Sequence, residues 1–437
     1  MRRKRLYYIL TFLFSLLLPS RAQVSSTNST YSRFGLGLPC DQSQGWNKSM
    51  GGVGLGVRAG GRVNTVNPAS YSAIDSLSLI LDVGMRASFG RMRQGGSVEG
   101  VNNASLDYVH AGMRVGRGLG LAVGFMPYTS IGYEFATPEK AVATDASTTQ
   151  PITSANVLSG SGGLGQIYVG LGWKVYRNLS IGANVSFLWG KYDHILVPSF
   201  MEGGVSTTSY SSTIKRYYAP RLKTYKIDFG AQYPVRLSPQ DRLSFGAAVG
   251  LGHKIAQDAS LLLYTTAGDT TTYTARSPFD LPYSFGLGTA WQHKNTLLVG
   301  VDVHHVRWGD CRMPVQTSGG FAPMKGGYRN MTKVAVGAQW TPAPYGKYWQ
   351  RIQYRAGVSY ASPYLKIGEA SGPAETSLGA GVGVPITNRL NSRSVVNVGV
   401  QWLRRSASAQ GLVKEDYFVL SLGITFNERW FMKYKIE

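Results

Sequence analysis

Cysteine, charge and long apolar runs are all scarce in this chain, and each shortage excludes something. Cys40 and Cys311 are the only cysteines in 437 residues. Two cannot staple a disulfide scaffold, and their spacing matches no metal site. Cys40, in "LGLPC", also lies too far past the first apolar stretch for lipid attachment. Charged residues make up 16% of the chain, against about 25% in typical soluble proteins. Beyond the first residues, no stretch reaches the roughly 18 consecutive apolar residues that a membrane-crossing helix requires. No Pro/Ser linker, charge block or change of composition divides the chain, so it reads as one large unit. The six histidines (110, 194, 253, 293, 304, 305) lack metal-ligand spacing, and His304 and His305, adjacent on a strand, project to opposite faces. No Ser/His/acid order stands out, and "GVGLG" at 52–56 opens no helix. The expectation is no enzyme and no cofactor.

What is present begins with a leader. Residues 1–5 are basic, Leu6 through Leu18 are apolar, and Ser20-Arg21-Ala22 sets small residues at both cleavage-determining positions. This is the pattern of an export signal over residues 1–22, with an apolar run too short to span a bilayer core of about 30 Å. Without the five basic residues of that segment, 40 basic residues face 23 acidic ones, a formal charge of +17. The charges are scattered, which argues against nucleic acid, and export points instead to an anionic lipid surface.

From Ser76 onward the dominant signal is strict alternation, the period of a strand with one apolar face. In "LILDVGMRASF" the residues Leu79, Leu81, Val83, Met85, Ala87 and Phe89 share one side, and Asp82, Gly84, Arg86 and Ser88 the other. About fourteen such segments follow one another, centred on 77–89, 105–115, 119–133, 165–175, 179–197, 223–233, 242–257, 282–291, 296–308, 330–341, 352–360, 375–386, 394–404 and 416–426. Short links ("GRG" at 116–118, "RN" at 177–178, "SPQD" at 238–241, "HKN" at 293–295) alternate with long ones. Short periplasmic turns and long external loops are the outer-membrane pattern.

A soluble β-sandwich also alternates, but a lipid-embedded sheet must close, because an open edge leaves backbone groups unpaired in hydrocarbon. The predicted fold is therefore all-β, a transmembrane antiparallel β-barrel of about 14 strands in a bacterial outer membrane. Phe125, Trp173, Trp189, Tyr283, Trp291, Trp308, Trp340, Trp402, Phe418 and Phe426 fall on apolar faces, many near segment ends, as an interfacial aromatic girdle would. The opposite face carries many of the 54 glycines, among them Gly170, Gly172, Gly246, Gly286, Gly288, Gly379 and Gly381. Small residues make room for a plug; strand curvature would recruit glycine too.

About fifty residues, 23–76, precede the first strand, are glycine-rich ("MGGVGLGVRAGG", 50–61) and show no sustained alternation. The barrel interior is available to them. Asn67-Pro68-Ala69 supplies a fixed φ and a side chain able to cap its own backbone, which suits a plug lying against the wall.

"TVNPASYSA" (65–73), with "VGFMPYTSIGY" (123–133) on the third strand and "FDLPYSFGLGTAW" (279–291) entering the eighth, resembles the FadL-type family of outer-membrane hydrophobic-compound transporters. The resemblance touches most of the chain, and only the Asn-Pro-Ala motif is reasonably specific. It implies an N-terminal hatch (23–76), a barrel over 77–426 and a short tail at 427–437. It also implies a kink in the third strand that opens the wall sideways, here placed at Gly124 and Pro127, although proline at the membrane boundary would be harmless. An external groove would draw on the loops after strands five and seven, with Phe200, Met201, Leu261, Leu262, Leu263 and Phe279; a β-hairpin projecting above the membrane would use the same residues. Lys215, Arg216, Arg221 and Lys223, interleaved with tyrosines, suit lipopolysaccharide phosphates or a ligand carboxylate. The function implied is passive uptake of a small hydrophobic, fatty-acid-like ligand. Some FadL-like barrels serve instead as accessory subunits of secretion or protein-assembly complexes, and a protein partner remains the alternative.

Overall fold

Alternation becomes a closed wall. The computed structural model describes residues 28–137, 140–144, 151–202, 205–207, 213–265, 268–318, 320–386, 394–409 and 411–429, so the leader and residues 430–437 of the tail lie outside it. Fourteen strands form one antiparallel sheet: β1 (Ser78–Gln94), β2 (Ser97–Gly116), β3 (Leu119–Ala136), β4 (Pro151–Tyr176), β5 (Leu179–Glu202), β6 (Thr213–Arg236), β7 (Asp241–Gly250), β8 (Ser284–His293), β9 (Leu297–Val306), β10 (Met331–Trp340), β11 (Gln353–Ala361), β12 (Ala374–Ile386), β13 (Ser394–Ser406) and β14 (Lys414–Arg429). Each pairs with its neighbour in sequence, and β14 returns to β1, from Ser78 opposite Arg429 to Arg93 opposite Lys414.

The faces are those of a barrel in lipid. Outward side chains such as Val169, Leu171, Trp173, Val185, Phe187, Leu420 and Leu422 are exposed, whereas inward Asp82, His110, Gln166, Arg355 and Asn397 are buried. A soluble protein would reverse this, and the inversion places the molecule in an outer membrane. Among the described residues no helix is long and apolar enough to cross; the strands do so.

Four expectations change in detail. The seventh strand stops at Gly250 rather than continuing to 257, because His253–Lys254 turns away to pair with Asp280–Leu281. The barrel runs to Arg429, so residues 427–429 belong to its last strand. Trp308 is not in the girdle: it is buried with Tyr31, Tyr328 and Leu365 under the external loops, since it follows β9 where the chain leaves the wall. Finally, the periplasmic connection of β10 to β11, residues 341–352, is long and carries its own 3-10 turn.

Candidate functional site

Residues 45–76 wind once around the inside of the wall, against strand order, and each stage of the path is set by small residues on the facing strands. The amide of Gly45 donates to the Tyr108 hydroxyl at 2.9 Å. Ser49 then lies on Gly379 and Gly381 of β12 and Gly399 of β13, and the Met50-Gly51 backbone on Gly337 of β10 and Gly357 of β11. The amides of Gly54 and Leu55 donate to Asp302 of β9 at 2.7 and 2.8 Å. The Leu55 carbonyl covers Gly246 of β7 and accepts from Gln232 of β6 at 2.8 Å. Pro68 rests on Gly172 and Gly182 of β4 and β5, the Tyr71 carbonyl on Gly120 of β3, and Ile74 beside Gly112 of β2. A Cβ at Gly182 would stand 2.5 Å from the Pro68 carbonyl carbon, closer than packed atoms approach.

The Asn-Pro-Ala corner does two things with one side chain. Asn67 caps the 3-10 turn Pro68–Ala73, its Oδ1 accepting from the Ala69 amide at 3.1 Å. Its Nδ2 donates to carbonyls of Leu55 (2.9 Å), Ala231 in β6 (3.0 Å) and Ala247 in β7 (3.3 Å). Asn67 and Ala69 are fully buried. The corner ties the two ends of its own loop to the wall.

The wall itself has a seam. β2 and β3 pair only from Gly116 opposite Leu119 up to Val109 opposite Phe125. Above that, β2 remains bonded to β1 and β3 to β4, but not to one another. Gly124 is the last glycine below the break, packed on His110 and Tyr168, and Pro127 sits just above it, where a register shift between Pro127 and Thr129 bends β3. Proline offers no N–H, and a bulge re-aims the edge.

Residues 28–42 occupy this seam from inside. Leu38–Pro39 forms a two-residue bridge with Ser130 and Thr129 of β3. The Ser29 amide donates to the Gly132 carbonyl at 2.9 Å, the Gly132 amide to Ser32 Oγ at 3.1 Å, the Cys40 amide to the Tyr128 carbonyl at 2.9 Å, and Gln42 Nε2 to the Pro127 carbonyl at 3.0 Å. Gly37 adopts φ +90, which suits glycine, and a Cβ there would also collide with Ser130 and Ile131. On the other side Asn28 Nδ2 reaches the Asn102 carbonyl of β2 at 3.1 Å, and the buried Glu415 of β14 accepts from Ser29 Oγ at 2.7 Å and the Thr30 amide at 3.1 Å. This strap takes over the hydrogen bonds that β2 would have supplied.

Between the strap and the segment wound inside the wall lies a cavity of about 320 Å³. Leu38, Met126, Tyr128 and Trp308 give it apolar wall, and Asp41, Lys226, Asp228 and Lys333 give it charge. Lys226 is paired with Asp228. Burial alone would raise the Asp41 carboxyl, yet Lys333 and Lys48 beside it, with the Ser43 amide, hold it below the ordinary carboxylate range. The external end of the lumen is closed by an apolar core in which Leu36 and Ile131 meet Leu261, Phe279 and Leu281.

The residues expected to form a groove separate here. Leu261 and Phe279 are buried in that core with Leu263 against it, while Leu262 alternates to the other face of the strand Ala259–Thr265. Phe200 and Met201 belong to β5, opposite Ser154 and Thr153, because β5 and β6 extend well above the membrane instead of ending in loops. Among the basic residues, Arg216 is gripped by Asp193 through two bonds of 2.9 and 2.7 Å, and Lys215 Nζ donates to Gln316 at 3.2 Å. Arg221 and Lys223 are exposed.

A closed fourteen-stranded barrel with its N-terminal segment wound inside is the FadL-type architecture. Solved structures share it: a Pseudomonas aeruginosa FadL homologue (TM-score 0.60, 13% identity, 90% of this chain and 99% of that one), the monoaromatic hydrocarbon channel CymD (0.56, 17%, 88% and 97%) and the Ralstonia pickettii toluene transporter TbuX (0.54, 15%, 87% and 97%). Comparison with curated sequences finds no match. The family model described as BamG matches residues 1–437; the chain belongs to the BamG family.

Proposed function

We propose that this barrel takes up small hydrophobic compounds and releases them sideways between β2 and β3. The observation that carries the reading is the coincidence of cavity and seam: the cavity touches Met126 and Tyr128 on the bent strand and Leu38 to Gln42 on the strap. Moving the strap would join the cavity to the membrane without breaking any strand pair between β2 and β3. Apolar wall with charged groups at one side suits a fatty-acid-like amphiphile, and the transport proteins that share the fold support the assignment. Residues 45–76 act as the hatch that keeps the path from running straight through. Exposed Arg221 and Lys223 suit lipopolysaccharide phosphates.

The test locks the strap. Ser32→Cys with Gly132→Cys joins strap to β3 at a point where the two residues already exchange hydrogen bonds. Uptake of a labelled hydrophobic compound should fall to background when oxidised and recover on reduction, at constant barrel abundance. Unchanged uptake in the oxidised form rejects the seam as the exit.

A second reading, a non-transporting accessory subunit of an outer-membrane secretion or assembly complex, is favoured by the density of bonds on the strap and by the fully buried Glu415 beneath it. It predicts no uptake by the wild type and a stoichiometric protein partner on purification.

A further inference from the structure

Among the described residues, the periplasmic turns at 117–118, 177–178, 237–240 and 294–296 are two to four residues long, but residues 341–352 form a small folded platform. Its root is fixed by the Thr341 amide on the Thr296 carbonyl at 2.7 Å. Inside it, the Ala343 amide donates to Gln350 O at 2.9 Å, Gly346 to Ala343 O at 3.0 Å, and Lys347 to Gln350 Oε1 at 2.9 Å. Arg351 Nε closes onto the Gly346 carbonyl at 2.8 Å. A segment bonded to itself in this way is held in one shape before any partner arrives.

What the platform holds out is aromatic. Tyr345 is 87% and Trp349 74% exposed, and Tyr348 packs edge-on against Trp349 with centroids 5.4 Å apart. On the adjoining strand ends the outward pair Trp340 and Tyr354 is exposed, with ring centroids 5.8 Å apart. That pair already supplies the interfacial girdle. Tyr345 turns along the rim, its hydroxyl accepting from Asn295 of the next turn at 3.4 Å. Residues 341–352 contain no acid, and Lys347, Arg351 and the neighbouring Lys294 make the surface cationic.

Rigid tyrosine and tryptophan beside arginine is the composition of binding hot spots. We infer that residues 341–352 are the docking surface for a periplasmic protein that presents an apolar cleft rimmed by carboxylates. The inference stands apart from the transport reading, because the platform touches neither the strap nor the cavity lining.

The test places a photo-crosslinking amino acid at Tyr345, at Trp349 or, as a lipid-facing control, at Tyr354, in intact cells. The expected result is one protein adduct of discrete mass from Tyr345 and Trp349, absent at Tyr354. Its yield should fall about tenfold when Lys294→Glu and Lys347→Glu reverse the rim charge; both side chains are exposed and leave the Arg351 bond intact. Heat-modifiable mobility of the variant reports that the barrel still folds. Adducts to phospholipid only, the same adducts at Tyr354, or a yield indifferent to charge reversal would each overturn the proposal; the first would make the platform a membrane anchor.

Discussion

Residues 45–76 meet the wall through glycines, backbone carbonyls and buried amides beside apolar Met50, Val53 and Ile74, whereas residues 31–38 meet the external core chiefly through Tyr31, Leu36 and Leu38 among Trp308, Tyr328, Phe279 and Leu365. The first contact is specified by shape: a carbonyl lies where a methyl group would otherwise stand. The second is specified by area removed from water, which is non-directional. Residues 45–76 follow the wall around the whole circumference as a ring, while the strap adds to its apolar contacts hydrogen bonds to β3 and to the buried Glu415 that must part if it moves. The difference separates glycine-lined contacts that leave no room for a methyl group from contacts held by apolar area in the cap above.

The comparison breaks most readily at the ring. Gly246→Leu drives a side chain into the Leu55 carbonyl, and relief requires the hatch to leave β7; overpacking of this kind costs about 1–3 kcal/mol or more, and here it is concentrated at one bond. Small-solute conductance in a planar bilayer should rise several-fold with the barrel still heat-modifiable. Conductance like the wild type would mean that the glycines reflect strand curvature alone.

In the cap, Phe279→Ala removes a fully buried ring and should cost about 3–5 kcal/mol locally. External protease should then cut the loops at 251–283 much faster, with conductance unchanged because the ring beneath is untouched. A simultaneous rise in conductance would show that cap and ring are one unit.

Asn67→Ala acts on the ring more mildly than either. It removes the cap on Ala69 and the two Nδ2 hydrogens shared among three carbonyls; a lost N-cap alone costs about 1 kcal/mol. Hydrogen exchange of residues 64–73 should accelerate while amides of β6 and β7 stay protected. Retained protection at 64–73 would show the corner held by packing alone.

The smallest effect is in acid. Burial would raise the Asp280 carboxyl, but the side chain and amide of Arg312 hold it below its ordinary value. A depressed carboxylate contributes stability above its unfolded pKa and loses it as pH falls through the folded one. The clasp between the loops should therefore slacken only in acid, read as faster proteolysis near Arg312 at low pH. Asp280→Asn should abolish that dependence.

Alternation made the fourteen strands legible, because it is a local property that neighbours in sequence suffice to display. What remained hidden is non-local. Trp308 looks like any outward tryptophan until the chain is seen to leave the wall beside Tyr31, far away in sequence. Leu261 and Leu262 read alike, yet period-two geometry buries one and turns the other away. Arg216 reads as free charge because Asp193 lies on the preceding strand. Asn67 shows its self-capping role in three letters, but its reach into β6 and β7 depends on how the hatch is wound. The strap has no signal of its own, since its residues matter only because β2 and β3 part.

The winding of residues 45–76 also has a consequence for assembly. These residues precede in sequence every strand they touch, yet they end up encircled. The circle closes by joining β1 to β14 across more than 300 positions of sequence, among the slowest kinds of pairing to form. The same internal segment touches strands on both sides of that closure, Tyr108 of β2 through Gly45 and Gly423 of β14 beside it, so one short stretch of chain spans the join.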